Sequence, residues 1–269
     1  MQARASALRV GTFALVILGC TATLPAQSVA TVGELLAAVV GQSADLQNYF
    51  VIPVAGHVEG ANETEFRTDV TILAAGSGSQ KVAVAWLAQG LDNSGRPLEF
   101  LRVGPGPVFV PDMVVRTLGQ SGLGALVIAA VTSEGALDRS ARLRGFARIW
   151  TPAPGCSGTS SLALEPGRFR EGLLAATGLL LDPGHRGNLG LVNPNTSART
   201  FLVYPMYPTV EISVPPASMR QVPIPYANES GAPVEVHVQI DGGGVFAGYA
   251  SSVDQFSGDG WLVNFGPPE

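Results

Sequence analysis

The sequence is poor in lysine, cysteine and charge. Lysine occurs once, as Lys81, and the only cysteines are Cys20 and Cys156. Charged residues make up 14% of the 269 residues and the net charge is −5, which argues against nucleic acid as a partner because phosphate neutralisation needs many cations. Two cysteines cannot build a disulfide framework. A hydrophobic content of 46% with a mean hydropathy of +0.27 excludes a disordered chain.

Sequence motifs of catalysis and of cofactor binding are also missing. The three histidines, His57, His185 and His237, are far apart, and no His-Glu-x-x-His, Cys-x-x-Cys or Gly-x-x-x-x-Gly-Lys sequence occurs. There is no Gly-x-Ser-x-Gly nucleophile elbow either. We therefore predict that the protein is not an enzyme and has no cofactor. A catalytic triad assembled only by the fold stays open as an alternative.

Residues 1–28 have the pattern of an export signal. Arg4 and Arg9 supply positive charge beside an apolar run at residues 10–20. That run has the length of a signal h-region and is too short to cross a bilayer. Cleavage is expected after Ala26 or Ser28, which are both small residues.

Cys20 offers a second way to process this segment. Residues 17–20 are similar to a bacterial lipobox, although Leu18 is bulkier than the usual residue at that place. The protein is therefore predicted to be secreted or periplasmic, with a membrane-anchored lipoprotein as the alternative. A membrane is a partner only if Cys20 is lipidated.

The remaining sequence predicts one short helix followed by many strands. Thr31 and Glu34 form a capping-box pattern that predicts a helix near residues 32–41, within an N-terminal segment at 29–45. A helical turn is predicted at 111–119, between a proline and a glycine. Apolar segments, many of them alternating with period two, occur at 49–55, 66–73, 81–88, 98–103, 125–132, 142–150, 189–192, 200–204, 210–214, 234–240, 245–253 and 261–265. Short strands without intervening helices predict an all-β fold of sandwiches or barrels.

These segments form two groups of about one hundred residues, the size of an immunoglobulin-like sandwich. We predict one β-sandwich module at residues 46–152 and a second at 170–269. The segment 153–169, rich in proline and glycine, is predicted to be the linker between them.

Three landmarks recur in the same order in the two groups. The landmarks are 66–73 with 185–192, Val110-Pro111 with Val214-Pro215, and Gly145-Phe146-Ala147 with Gly248-Tyr249-Ala250. They predict an internal duplication in which Arg67 and Arg186 lie on equivalent strands.

Several phrases of the sequence also point to a known family. They are Phe50-Val51-Ile52-Pro53-Val54-Ala55-Gly56-His57, Gly60-Ala61-Asn62, Phe66-Arg67-Thr68-Asp69-Val70, Arg186-Gly187-Asn188-Leu189-Gly190-Leu191-Val192-Asn193-Pro194 and Gly248-Tyr249-Ala250-Ser251-Ser252-Val253-Asp254. Over residues 49–265 the chain resembles a family of uncharacterised exported bacterial proteins with tandem immunoglobulin-like β-sandwich modules. The resemblance implies the fold and the export, and it implies no reaction, substrate or cofactor.

The densest group of charged and aromatic residues lies at 142–150. On a strand, one face presents the alternate residues Arg142, Arg144, Phe146, Arg148 and Trp150. Arginine forks bind carboxylates and an indole ring can stack on a sugar, so this strip is the candidate ligand-binding site. The competing interpretation is a solvated strand face whose arginines pair with nearby acids.

A weaker candidate site is the loop that contains Asp254 and Asp259. Two acids in a glycine-containing loop supply some of the oxygens that calcium needs, but the spacing of a calcium loop is absent. We predict a turn here and no metal site.

The composition and motifs together favour a non-catalytic exported protein. It is predicted to act by surface contact, in adhesion, in envelope or matrix scaffolding, or in glycan binding, on an extracellular or envelope partner that is a glycan or a protein. The alternative is a secreted hydrolase, or an accessory domain of one, with a site assembled from loops.

Overall fold

A computed structural model describes residues 28–42, 46–60, 64–152, 159–204, 209–224, 230–256 and 260–268. Its helices are α1 (Val32–Val40) and α2 (Met113–Arg116). Its strands are β1 (Tyr49–Glu59), β2 (Glu65–Ala74), β3 (Gln80–Ala88), β4 (Glu99–Val103), β5 (Gly106–Val110), β6 (Gly122–Val131), β7 (Leu143–Pro152), β8 (Thr159–Leu164), β9 (Arg170–Glu171), β10 (Leu174–Leu179), β11 (His185–Asn193), β12 (Arg199–Tyr204), β13 (Val210–Val214), β14 (Ser218–Ile224), β15 (Val234–Ile240), β16 (Val245–Asp254) and β17 (Gly260–Asn264). The all-β prediction is confirmed, with the strands in several antiparallel sheets.

Both predicted helical segments are present. The Thr31 side chain accepts a hydrogen bond from the Glu34 amide, and the Glu34 carboxylate accepts from the amides of Ala30 and Thr31. This reciprocal cap fixes the start of α1, whose apolar residues are buried against the fold on the side of β3. The turn predicted at 111–119 contains α2.

Two sheets form the first half of the chain. Their strand orders are β4-β3-β6-β1 and β5-β2-β7-β8. Strand β1 joins them, because after an irregularity between Ile52 and Ala55 its last residues pair with the start of β2. The sheets meet where the Phe50 ring of β1 lies on Gly145 of β7, so close that a Cβ at Gly145 would be 2.4 Å from the ring.

The second half repeats this strand order. Its sheets are β10-β15-β12-β13 and β14-β11-β16-β17, so each strand of the first half has its counterpart nine strands later. The order differs from the ABED and CFG sheets of an immunoglobulin constant domain. The two halves therefore share one strand order with each other, and it is not that of an immunoglobulin constant domain.

The register of the strands agrees as well. Residues that face each other on neighbouring segments of the first half have counterparts that face each other in the second half. Arg67–Trp150 corresponds to Arg186–Val253, Thr71–Phe146 to Gly190–Tyr249, and Val51–Gly167 to Ala175–Gly266. Arg67 and Arg186 thus lie on counterpart strands. The landmark that matched Val110 with Val214 is wrong, because Val110 ends β5 whereas Val214 ends β13, the counterpart of β4. A Val-Pro pair ends many strands, and this one does not mark a position in the repeat.

The second half packs on the first through the outer face of its β14-β11-β16-β17 sheet. Met219, Ala247 and Tyr249 belong to the apolar cluster of the first half, whereas Phe246 and Ala250, on the opposite face of β16, belong to the core of the second half. The strands they approach are β1, β3 and β6. The halves are therefore joined by an apolar interface.

Strands β1, β6 and β3 are buried on both faces as a result. Phe50 points towards β7, so its neighbour Val51 points away from it. Val51 lies in register with Val127 and Ala85, and all three are 0% exposed. This outer face is covered by α1 and by the second half.

The loop between β3 and β4 also contacts both α1 and the second half. Asn93 Nδ2 donates hydrogen bonds to the carbonyl oxygens of Ala88, Leu91 and Ala217 at 3.0, 2.9 and 2.9 Å. The Val32 amide of α1 donates to the Arg96 carbonyl at 2.9 Å. The last paired residues of β3 and β4, Val84 and Glu99, are separated by residues 85–98. In the counterpart hairpin of β12 and β13, Val203 and Val210 are separated by 204–209, which is eight residues fewer.

All twelve predicted strand segments overlap observed strands, and β5, β8, β9, β10 and β14 were not predicted. One of these strands lies within the segment predicted to be a linker, 153–169. Residues Thr159–Leu164 form β8, which pairs with β7 at the edge of the sheet. The segment is rich in serine and threonine, but Leu164 is 2% exposed and belongs to the apolar cluster of the first half.

Some predictions fall outside the described residues. These are the signal segment through residue 27 with Cys20, the loop that contains Cys156, and Asp259. Among the described residues, no helix is long and apolar enough to span a membrane.

Candidate binding surface

The predicted strip lies on the outward face of β7. Its neighbours Leu143, Ala147 and Ile149 point into the core and are buried, whereas Arg144 and Phe146 are exposed. Arg142 precedes the strand and is also exposed. Arg144, Phe146, Arg148 and Trp150 therefore share the outward face of β7, as the alternation predicts.

Strand β2 adds a second row to this face. Residues Leu73, Thr71, Asp69 and Arg67 lie opposite Arg144, Phe146, Arg148 and Trp150, respectively. Strand β5 adds a third row, with Phe109 opposite Thr71 and Pro107 opposite Leu73. Phe109 was not predicted to lie on this face, because β5 has only five residues, with glycine and proline at its start, and gives no clear strand pattern.

One end of the face is open and apolar. Phe109, Phe146 and Leu73 are 62%, 48% and 38% exposed, and Pro107 and Arg144 are exposed beside them. We call these five residues the Phe146 face. Large apolar side chains that cluster on a surface mark a site of contact with another molecule.

The other end of the face is closed by its own arginines. The guanidinium groups of Arg67 and Arg148 lie 5.4 and 5.7 Å from the centre of the Trp150 ring, within the range of cation–π interactions. The indole nitrogen is buried and has no hydrogen-bond partner among the described residues. Trp150 is thus engaged within the protein and is not an open plate for a sugar.

Arg67 belongs to a polar network at this closed end. Its Nη2 lies 2.6 Å from Glu65 Oε2, and His57 Nε2 lies 2.7 Å from Glu65 Oε1. The hydrogen bond from Arg67 holds the pKa of Glu65 below its usual value. The network ties the end of β1 to the start of β2.

His57 continues the network to the segment before α2. Its Nδ1 lies 3.1 Å from the Asp112 carboxylate, and the Asp112 amide donates to Asp69 Oδ1 at 2.9 Å. Asp112 has a φ of 44°, in the left-handed region, and its bonds on both sides fix that conformation. With a carboxylate on each ring nitrogen, His57 has no free nitrogen that could accept a proton from a nucleophile.

Asp254, the described member of the acidic loop, also has protein partners. Its Oδ1 accepts from the Phe256 amide at 2.8 Å, and its Oδ2 lies 3.9 Å from His185 Nε2. The other nitrogen of His185 lies 2.8 Å from Asp182, whose pKa this hydrogen bond lowers. Within the described ranges, no group of histidine, cysteine and acidic side chains could hold a metal ion.

The third histidine, His237, lies on the outward face of β15, as its alternating strand predicts. Its Nε2 lies 3.3 Å from Glu235 Oε1, and both side chains are partly exposed. The three histidines are thus all paired with carboxylates.

No protein-family model matches this chain, and no curated protein matches it. The surface described above is therefore the basis on which a function can be argued.

Proposed function

We propose that the protein is an exported, non-catalytic pair of β-sandwich modules that acts by surface contact through the Phe146 face. The observation that carries this proposal is the exposure of Phe109 and Phe146 on β5 and β7, the two strands that flank β2, together with the exposure of Arg144. A soluble domain seldom leaves such a cluster uncovered unless another molecule binds there.

The matching strand orders support the two-module organisation. The bridge between Val51 and Gly167 closes the first half, and its counterpart between Ala175 and Gly266 closes the second. We therefore extend the first module to about residue 167 and begin the second near residue 170, with β8 as the last strand of the first.

The chemistry of the face favours a protein partner over a glycan. Aromatic residues and arginine are enriched at protein interfaces. The indole ring that was the candidate plate for a sugar, that of Trp150, is engaged by Arg67 and Arg148. The expected partner surface is apolar at its centre and acidic at its rim.

The alternative of a hydrolase receives no support from the polar clusters. A general base needs a ring nitrogen directed at a nucleophile, and His57 and His185 direct theirs at carboxylates.

The first prediction is that Phe109→Ser together with Phe146→Ser abolishes partner binding. The immobilised protein is exposed to solubilised envelope proteins of its native host and, separately, to a glycan array. We expect the wild type to retain a protein and the double variant to retain at least tenfold less of it. Both side chains are exposed, so stability should change by about 0.5 kcal/mol or less.

Phe256→Ser is the matched control for this experiment. Phe256 is 92% exposed and lies in the second half, so its loss removes a ring that is more exposed than Phe109 or Phe146 from a different surface. Retention that survives the double variant, or that is lost equally in the control, contradicts the proposal. Signal on the glycan array that depends on Phe146 would make the partner a glycan.

A further inference from the structure

Counterpart faces of the two halves have different surroundings. In the second half, Val192, Met219, Ala247 and Tyr249 form the face that is buried against the first half, each with at most 4% exposure. We call these four residues the Tyr249 face. In register, their counterparts in the first half are Leu73, Pro107, Arg144 and Phe146. The Phe146 face is therefore the uncovered counterpart of a docking surface.

The surface that receives the Tyr249 face has a counterpart too. The buried row Val51, Val127 and Ala85 of the first half corresponds in register to Ala175, His237 and Tyr204 of the second half. The exposed or half-exposed residues around this second row are Leu202, Tyr204, Glu211, Glu235, His237 and Gln239. We call these six residues the His237 face.

We infer that the Phe146 face of one copy of the chain binds the His237 face of a second copy. This inference rests on the proposed function, and it identifies a second copy of the chain as the partner that the Phe146 face binds. The two faces are the counterparts of the two surfaces that already meet inside the chain, so the same sheet-on-sheet arrangement would be repeated between copies. Because different surfaces meet, the contact is heterologous and leads to rings or to open chains of copies.

The charges of the two faces are complementary. The Phe146 face has the exposed side chain of Arg144, with Arg142 next to it. The His237 face has Glu211, which is exposed, and Glu235, whose side chain is 41% exposed. Opposite charges at a rim guide association and select the partner.

The same charges disfavour the other pairing of copies. Two Phe146 faces placed against each other would bring Arg142 and Arg144 of both copies together, and like charges in contact oppose binding. The receiving face of the first half is already occupied by its own second half. The His237 face is therefore the surface left to accept the Phe146 face.

Complementary charge reversal tests the inference. One variant has Arg142→Glu with Arg144→Glu, and the other has Glu211→Arg with Glu235→Arg. Sedimentation velocity should show association of the wild type that increases with concentration and weakens with salt. Each variant alone should associate at least tenfold more weakly, and an equimolar mixture of the two should recover association.

Several outcomes would overturn the inference. One is a wild type that stays monomeric at every concentration, and another is a mixture of the two variants that does not recover association. A third is a Glu211→Arg, Glu235→Arg variant that still forms dimers alone, which would indicate that two Phe146 faces pair. A monomeric wild type whose retention of an envelope protein depends on Phe146 would overturn the second copy as partner and leave the proposed function standing.

Discussion

At the scale of single residues, Asn93 shows how one buried amide can connect the two halves. Its side chain is 0% exposed, and its Nδ2 points at three carbonyl oxygens, one of which belongs to Ala217 in the second half. The sequence indicates only a turn at this place. A turn signal is local, whereas the third acceptor lies 124 residues away along the chain.

Asn93→Asp is therefore expected to destabilise the protein by about 3 kcal/mol. The change keeps the shape of the side chain, removes the N–H donors of Nδ2 and places a carboxylate beside three buried carbonyl groups. Urea unfolding at neutral pH measures the loss. Gln120→Glu is the control, since it is the same change at a half-exposed site where the oxygen already accepts from Arg96. A loss below about 1 kcal/mol for Asn93→Asp would contradict the assignment of its donors.

The strip of β7 shows what the sequence can and cannot predict about the candidate site. Alternation along one strand is enough to place Arg144 and Phe146 on one face. It does not show that the guanidinium groups of Arg67 and Arg148 lie over the Trp150 ring, nor that Phe109 lies on the same face as Phe146, because alternation along β7 does not reveal how β5 and β2 pair with it. The residues of the strip were predictable, and its division into an open and a closed end was not.

At the scale of the secondary-structure elements, strands with a long alternating pattern were predictable and short edge strands were not. Strand β15 alternates over its whole length, and its bounds match the prediction. Strands β5 and β8 lie at sheet edges, and β5 has only five residues. An edge strand is paired with a neighbouring strand on one side only. It can therefore be short and contain few apolar residues, and its sequence pattern is weak.

Helix α1 gives a prediction about acidity. Hydrogen bonds from the Ala30 amide, and then from the Thr31 amide, hold the pKa of Glu34 below its usual value. A carboxyl whose pKa is lowered by folding contributes stability above its unfolded pKa, and this contribution is lost as the pH falls through the folded value. Glu34→Gln should therefore lower the urea midpoint at pH 7, and the difference from the wild type should disappear as the pH falls through the lowered pKa of Glu34.

Glu99→Gln is the control for the charge itself, because Glu99 is an exposed residue at the start of β4. It should leave the midpoint nearly unchanged at both pH values. A difference between Glu34→Gln and the wild type that persists at acid pH would show that the cap acts through shape and not through the carboxylate charge.

At the scale of the whole molecule, the apolar interface between the halves predicts a single unfolding transition. Tyr249 is 2% exposed and lies in the cluster of the first half, although it belongs to β16. The measurement uses a variant in which Trp86 and Trp150 are replaced, so that Trp261 is the only tryptophan. Urea unfolding followed by circular dichroism and by the fluorescence of Trp261 should give coincident curves. Tyr249→Ala should move both curves together, by about 3 kcal/mol. Two separate transitions in the wild type would show that the halves unfold independently.

The burial of β1, β6 and β3 on both faces also has an evolutionary consequence. In many tandem arrays a module can be gained or lost one at a time, because each copy covers its own core. A descendant of this chain without its second half would leave apolar residues such as Val51 and Val127 exposed on the outer face of the sheet, and such a surface promotes aggregation. Selection against that loss would cause the two halves to be inherited as a pair.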